Sequence, residues 1–157
     1  MFKIQGLDSI SNEILNTLQR NAEISVKQIA YKIHKSESAT HERIKLLKKG
    51  GFVKASVLLL DYTKFHKVEM AYVLVRVNDH SSLAAASFYQ KVKTFDEVME
   101  CAQITGYFDF HLKIATTCSR AFYNFFETKL KAIDIVGETC INYILAEHKY
   151  ETAFKLS

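Results

Sequence analysis

The chain has 157 residues, 48% of them hydrophobic and 24% charged, with a net charge of +4. That size suits one or two small domains, and that balance suits a soluble globular protein. No apolar run approaches the length that crosses a bilayer, which excludes a spanning helix.

The start, MFKIQGLDS, lacks the long apolar core of a secretory signal. Cys101, Cys118 and Cys140 are odd in number, widely spaced and outside any CxxC pair. This argues against a disulfide framework and a zinc site, and for reduced cysteines in a cytoplasmic protein. Proline is absent, so boundaries rest on glycine, capping residues and periodicity.

The first segment, Leu7 to Arg20, reads as an amphipathic helix capped by Asp8 or Ser9, with Ile10, Ile14, Leu15 and Leu18 on its apolar face. Ser25 and Gln28 stand at capping-box spacing, and Val26, Ile29, Ala30 and Ile33 then recur at helical intervals. His34-Lys35 breaks the pattern. A third helix follows, capped by Ser36 or Ser38, with Thr40, Ile44 and Leu47 inward and Gly50-Gly51 as its stop. Three helices of this size enclose one small core in a helix-turn-helix module.

The face of the third helix opposite that stripe carries Ser38, His41, Glu42, Lys45 and Lys49. From Lys27 to Lys54 there are eight basic and two acidic residues, a surplus of six. With +4 for the whole chain, the remainder carries −2. A basic patch so concentrated attracts phosphate backbones, and a helix with short polar residues near its start fits a major groove. Basic runs are also common on plain solvated helix faces. It is the combination of charge with helix, turn and helix that points to DNA.

Ser36, Ser38, His41, Arg43, Lys45 and Lys49 are therefore the candidate contacts to double-stranded DNA. Arg43 lies close to the buried side, where its stem packs and its guanidinium reaches a phosphate or a neighbouring carboxylate. His41 is open to two readings, a donor to a base edge or a solvated surface histidine.

The run Phe52 to Leu60 is rich in strand formers and is expected to pair as a strand, and Asp61 to Lys67 reads as a hinge. From Val68 the period changes. Met70 to Val77 is a strand with Arg76 on its wet face, Ser81 to Lys93 a helix with Leu83, Ala86 and Tyr89/Gln90 spaced by turns, and Val98 to Thr105 a second strand. Phe110 to Thr116 follows as a third strand, Ser119 to Ala132 as a helix with Phe122, Phe125, Phe126 and Leu130 inward, and Glu138 to His148 as a fourth strand.

The order β-α-β-β-α-β is the ferredoxin-like pattern, with two helices on one face of an antiparallel sheet. No helix remains for the other face, and a second copy of the same sheet is its simplest cover, which predicts a symmetric dimer. The fold class is thus α+β. Residues 1–53 form a winged or plain helix-turn-helix domain, 54–67 a strand and linker, and 68–157 a ferredoxin-like domain.

The chain resembles the leucine-responsive regulatory protein/asparagine regulator (Lrp/AsnC) family of transcription factors over nearly its full length. The resemblance is carried by Leu7-Asp8 with Ile14-Leu15 and Leu18, by Ile24-Ser25 with Ile29-Ala30, and by Ser36 with Glu42-Arg43-Ile44 and Leu47. It continues in Gly51-Phe52-Val53 and in the turn Ile104 to Phe110 followed by Leu112-Lys113. The resemblance implies a DNA-binding regulator whose second domain assembles dimers, often octamers, and binds a small effector, commonly an amino acid, near the glycine–aspartate turn. Carried over residue by residue, the effector site is Thr105, Gly106, Tyr107 and Asp109, with Asp109 available to an α-ammonium group. An ordinary β-turn favours the same glycine and aspartate. Three features depart from the family pattern: His34-Lys35 in place of glycine and a leucine-like residue, Glu37 and Ala39 in place of the prolines, and Phe108 in the effector turn.

An enzymatic alternative is the sirohaem decarboxylases, which resemble these regulators in both domains and would use histidines on tetrapyrrole carboxylates. His111 and His148 lie on expected strands, and Asp109 shares a face with His111 if the strand is regular. An effector-independent DNA-packing protein is a third reading. The sequence holds no nucleophile motif, phosphate-cradling glycine loop or paired metal-spaced histidines, so the reading is a regulator, not an enzyme, without cofactor or metal.

Overall fold

Side-chain caps start every helix of the first half. In this computed structural model, which describes residues 7–65 and 68–157, α1 (Ser9–Leu18) begins at Asp8, whose carboxylate accepts from the Ser11 amide at 2.8 Å. Helix α2 (Val26–Lys32) begins at Ser25 with both halves of the capping box formed by Gln28. Helix α3 (Glu37–Lys49) begins at Ser36, which accepts from the Ala39 amide. Each cap satisfies a donor the helix cannot satisfy internally. The expected apolar faces converge: Ile14, Leu15, Ile29, Ile33, Ile44 and Leu47 make one buried cluster.

The turn between α2 and α3 runs through His34 at φ 53, the left-handed region that costs most residues free energy. The chain can turn there because the His34 and Lys35 amides donate to the Tyr31 and Ala30 carbonyls.

The described residues up to Leu59 form one compact unit with His148–Ser157, and Leu60–Glu147 form another. The sequence assigns residues 148–157 to the second domain, yet Leu156 is buried in the three-helix core. Two side-chain amides, Asn16 on α1 and Gln19 at its C-cap, bind this segment as a neighbouring strand would. Asn16 donates to the Leu156 carbonyl and accepts from its amide at 3.0 and 2.9 Å, and Gln19 does the same at Phe154. Residues three apart on a helix stand one above the other, so they can meet residues two apart on an extended segment.

The expected strand from Phe52 to Leu60 has no ladder partner among the described residues, and 54–60 are exposed. Its β-branched and leucine content suits a pleated surface, but a strand forms only against a partner. Within the expected hinge, Asp61 caps a short 3-10 turn, Tyr62–Lys64. His66 and Lys67 lie outside the described residues, as do residues 1–6.

The second unit is a four-stranded antiparallel sheet in the order β2-β3-β1-β4, built from β1 (Glu69–Val77), β2 (Val98–Gln103), β3 (Phe110–Thr116) and β4 (Val136–Tyr143). Helix α4 (Ser82–Val92) follows β1, and α5 (Ser119–Phe125) follows β3. This is the ferredoxin-like βαββαβ arrangement. Ala71, Val73, Val75 and Val77 of β1 and Phe110, Leu112 and Ile114 of β3 pack on the helices with Phe88, Phe122, Phe125, Phe126 and Leu130.

Three expectations shift. The inward face of α4 is Ala84, Phe88 and Val92, while Leu83 is 83% exposed; Phe88 and Val92 bury more apolar area at helical spacing than the small Ala86 can. Helix α5 does not run on to Ala132 as α-helix but passes into a π-helical turn, Phe126–Leu130, closed by the Lys131 amide on the Phe126 carbonyl. The fourth strand ends at Tyr143 rather than His148.

Candidate functional sites

On α3 the buried stripe is Thr40, Ile44 and Leu47, as the periodicity implies. Thr40 turns its hydroxyl back to the Ser36 carbonyl at 2.8 Å, which keeps that polar group satisfied inside. The opposite face is open: Ser38, His41, Lys45 and Lys49 are exposed, Lys45 to 69% at its side chain. The nearest carboxylate, Glu42, stands 4.0 Å from Lys45 and 3.7 Å from His41, both at full solvent screening. Ser36 is spent on the cap, with its hydroxyl 3.3 Å from that of Ser38.

Arg43 differs from these lysines. Its guanidinium forms an ion pair with the Asp8 carboxylate and donates to the Ser11 hydroxyl at 3.1 Å. Of the two roles the sequence leaves open, the structure shows the neighbouring carboxylate. Asp8 thus serves as α1 cap and as Arg43 partner. The Ser11 hydroxyl and amide, then the guanidinium, lower its pKa to about 2.

The second candidate site is the connection between β2 and β3. Thr105, Gly106 and Tyr107 are exposed at its tip, and Gly106 has φ 116, a conformation suited to glycine. A Cβ built there meets nothing within 4 Å, so space over the turn is open. Asp109 is the brace. Its backbone closes the turn on Ile104 and Val75 at 2.8 and 2.9 Å. One carboxylate oxygen accepts from the Val77 amide at 2.8 Å, and the other lies 3.1 Å from His80 Nδ1.

The condition for Asp109 and His111 to share a face, a regular strand through both, is not met. Asp109 precedes β3, so strand alternation does not govern its side chain, and it reaches His80 instead. His111 stacks on Tyr72, ring centroids 4.7 Å apart. His148 lies outside β4. The decarboxylase reading loses the Asp109–His111 juxtaposition it drew on.

Three neighbours of the turn escaped the sequence reading as site residues: His80, Arg76 and Glu138. The Arg76 guanidinium lies over the Tyr107 ring, 4.5 Å from its centroid, and the Tyr107 hydroxyl donates to Glu138 at 2.6 Å. Alternation in β1 indicates which face Arg76 occupies, but only the β1–β4 register places Glu138 beside it.

Among the described residues no helix is long and apolar enough to cross a membrane, and no group of three or more His, Cys, Asp or Glu side chains could hold a metal ion.

A helix-turn-helix unit with an open basic helix, joined in one chain to a ferredoxin-like sheet, defines a DNA-binding regulator with a ligand-binding domain. The family model described as winged helix-turn-helix DNA-binding matches residues 7–54, and that of the Lrp/AsnC ligand binding domain matches residues 70–154. The chain belongs to the Lrp/AsnC family of transcriptional regulators. It is 32% identical over 109 residues to the HTH-type transcriptional regulator Zrp of Zymomonas mobilis, covering 69% of this chain and 71% of that one. It is 29% identical to the proline dehydrogenase transcriptional activator of Rhodobacter capsulatus, over 90% of this chain and 91% of that one. Among solved structures, a transcriptional regulator from Neisseria meningitidis in complex with L-methionine superposes with a TM-score of 0.86 at 26% identity, covering 94% of this chain and 96% of that one.

Proposed function

We propose that this regulator binds operator DNA sequence-specifically through α3 and answers to a small effector, an amino acid, bound at the Gly106–Asp109 turn. The observation that carries the DNA half is the free face of α3: Lys45 and Lys49 extend into solvent from a capped and packed helix. Ser38 and His41, nearer the helix start, are the candidate readers of base edges, and the lysines the phosphate contacts. The effector half is supported by the open turn over Gly106 and by the L-methionine complex of the Neisseria meningitidis relative.

The working form is a homo-oligomer, a dimer at least and an octamer by the family's habit. The sheet face away from the helices carries Tyr72, Leu74, His111 and Cys140, which a second copy would cover. The chain acts in the cytoplasm and is not an enzyme; the relatives named above are all regulators.

Selection of bound sequences from random duplex DNA, with and without a panel of amino acids, tests both halves. Enrichment of a palindromic motif whose recovery changes with one amino acid is the expected result. Recovery of unenriched DNA at every condition would leave only DNA packing. A saturable visible-spectrum change on adding sirohaem, without DNA binding, would favour the decarboxylase chemistry.

A further inference from the structure

We propose that Arg76 and Glu138 hold the two charges of an α-amino acid, Arg76 its carboxylate and Glu138 its ammonium group, with Tyr107 as the positioning residue between them. The inference rests on the effector reading and changes its chemistry. The carried-over partner for the ammonium is Asp109, but each oxygen of that carboxylate already holds a partner within the fold, the Val77 amide and His80. Asp109 braces the turn, which favours other partners for the ligand's charges.

Arg76 and Glu138 both meet Tyr107 and keep capacity for a ligand. Among the described residues no ion pair joins Arg76 to a carboxylate; its guanidinium rests on the Tyr107 ring. Glu138 accepts the Tyr107 hydroxyl on Oε2, which leaves Oε1 open, and the residue is exposed. One phenol therefore carries a cation on its face and an anion on its hydroxyl. Neither charge neutralises the other within 4.0 Å. An α-amino acid zwitterion, with ammonium and carboxylate on one carbon, satisfies both. A planar guanidinium takes a carboxylate through two parallel hydrogen bonds.

The backbone is built for this placement. Val75 pairs with Thr139 and Val77 with Val136, so the register shifts and two residues of β4 stand opposite Arg76. Such a bulge re-aims side chains. It depends on Gly137, where a Cβ would lie 2.4 Å from Asn78 Oδ1 and 3.1 Å from the Arg76 carbonyl. Glu138 is thereby turned toward Tyr107 at the edge of the open Gly106 turn.

Calorimetric titration of the full chain with each standard amino acid, and of the best binder's α-amide and N-acetyl derivative, tests the assignment. The wild-type chain should bind both derivatives about tenfold more weakly or worse, since each derivative removes one charge-assisted contact. Arg76→Gln should weaken the amino acid to the level of its amide and bind the two alike. Glu138→Gln should do the same with the N-acetyl derivative, and Arg76→Lys should fall between. Tyr107→Phe should cost a few-fold, as expected of positioning alone. Wild-type binding that ignores both derivatives, or variants that bind as wild type does, would overturn the inference and leave the effector reading standing. A wild-type chain that binds no amino acid would overturn both. The derivatives are read on the wild-type chain, so the test survives a variant that fails to fold.

Discussion

Charge is used in opposite ways in the two halves of this molecule. In the sheet unit, Lys113 and Glu147 are only 6% and 14% exposed at their side chains and sit 3.1 Å apart, with the Tyr62 hydroxyl on the second glutamate oxygen. On α3 the lysines stand in water, and the carboxylate nearest Lys45, Glu42 at 4.0 Å, is itself exposed and screened. A cation brought out of water must be matched by the fold itself, whereas a cation left in water at no structural gain is available to something else. The first kind should therefore govern stability and the second kind binding.

The sharpest break of that contrast is Lys113→Met. Removing one member of a buried pair leaves the other desolvated, and a loss of about 3 kcal/mol is expected in urea denaturation. Burial opposes the Lys113 charge, but the hydrogen bond and charge of Glu147 outweigh it and raise the pKa above 10.5. A raised folded pKa means the stabilisation is complete below the ordinary lysine value and fades as pH climbs through the folded one. The difference between wild type and variant should hold at neutral pH and narrow only on the alkaline side.

Next in size is the double variant Lys45→Glu with Lys49→Glu. It should weaken every duplex by about two orders of magnitude and flatten the log–log salt dependence by about 2. Its urea midpoint should move by no more than ~0.5 kcal/mol equivalent. Gel shifts across salt read the first effect and denaturation the second. Strong unfolding with unchanged DNA binding would reverse the comparison.

Arg43 stands between the two kinds, on the recognition helix yet paired inward. Asp8→Ala removes an N-cap and the arginine's partner, and about 1 kcal/mol should be lost at neutral pH, the half-exposed pair being screened. A depressed carboxylate pKa stabilises above the ordinary 3.8 and ceases to do so as pH falls toward about 2. The gap between wild type and Asp8→Ala should accordingly close over that acid interval, and DNA affinity should fall far less than for the lysine pair.

What could be read in the sequence follows the same division. Local rules placed the cap at Ser25, narrowed the others to Asp8 or Ser9 and Ser36 or Ser38, and placed the stripe Thr40, Ile44 and Leu47, because a helix face is set by residues three or four apart. They also placed the strand Phe110–Thr116 to the residue. The site at the turn was legible only as a loop. His80, Arg76 and Glu138 reach it across 29, 31 and 31 residues of chain from their partners Asp109, Tyr107 and Tyr107, and the register shift that turns Glu138 has no signal beyond Gly137. Leu156 joining the first core is non-local for the same reason, since its partner Asn16 is 140 residues away.

The smallest effect tests a place where local backbone preference and structure disagree. His34 holds a left-handed φ in the turn that leads into α3, at a position where glycine carries no steric cost. His34→Gly should relieve about 1 kcal/mol of backbone strain and give back part of it through a more flexible unfolded chain. A net gain of ~0.5 kcal/mol is expected, read as a higher urea midpoint. The same variant sharpens the charge comparison, because the exposed His34 ring beside Lys35 borders the basic face of α3. Higher stability with weaker DNA binding would put His34 among the DNA contacts. Higher stability with unchanged binding would confine its role to the turn.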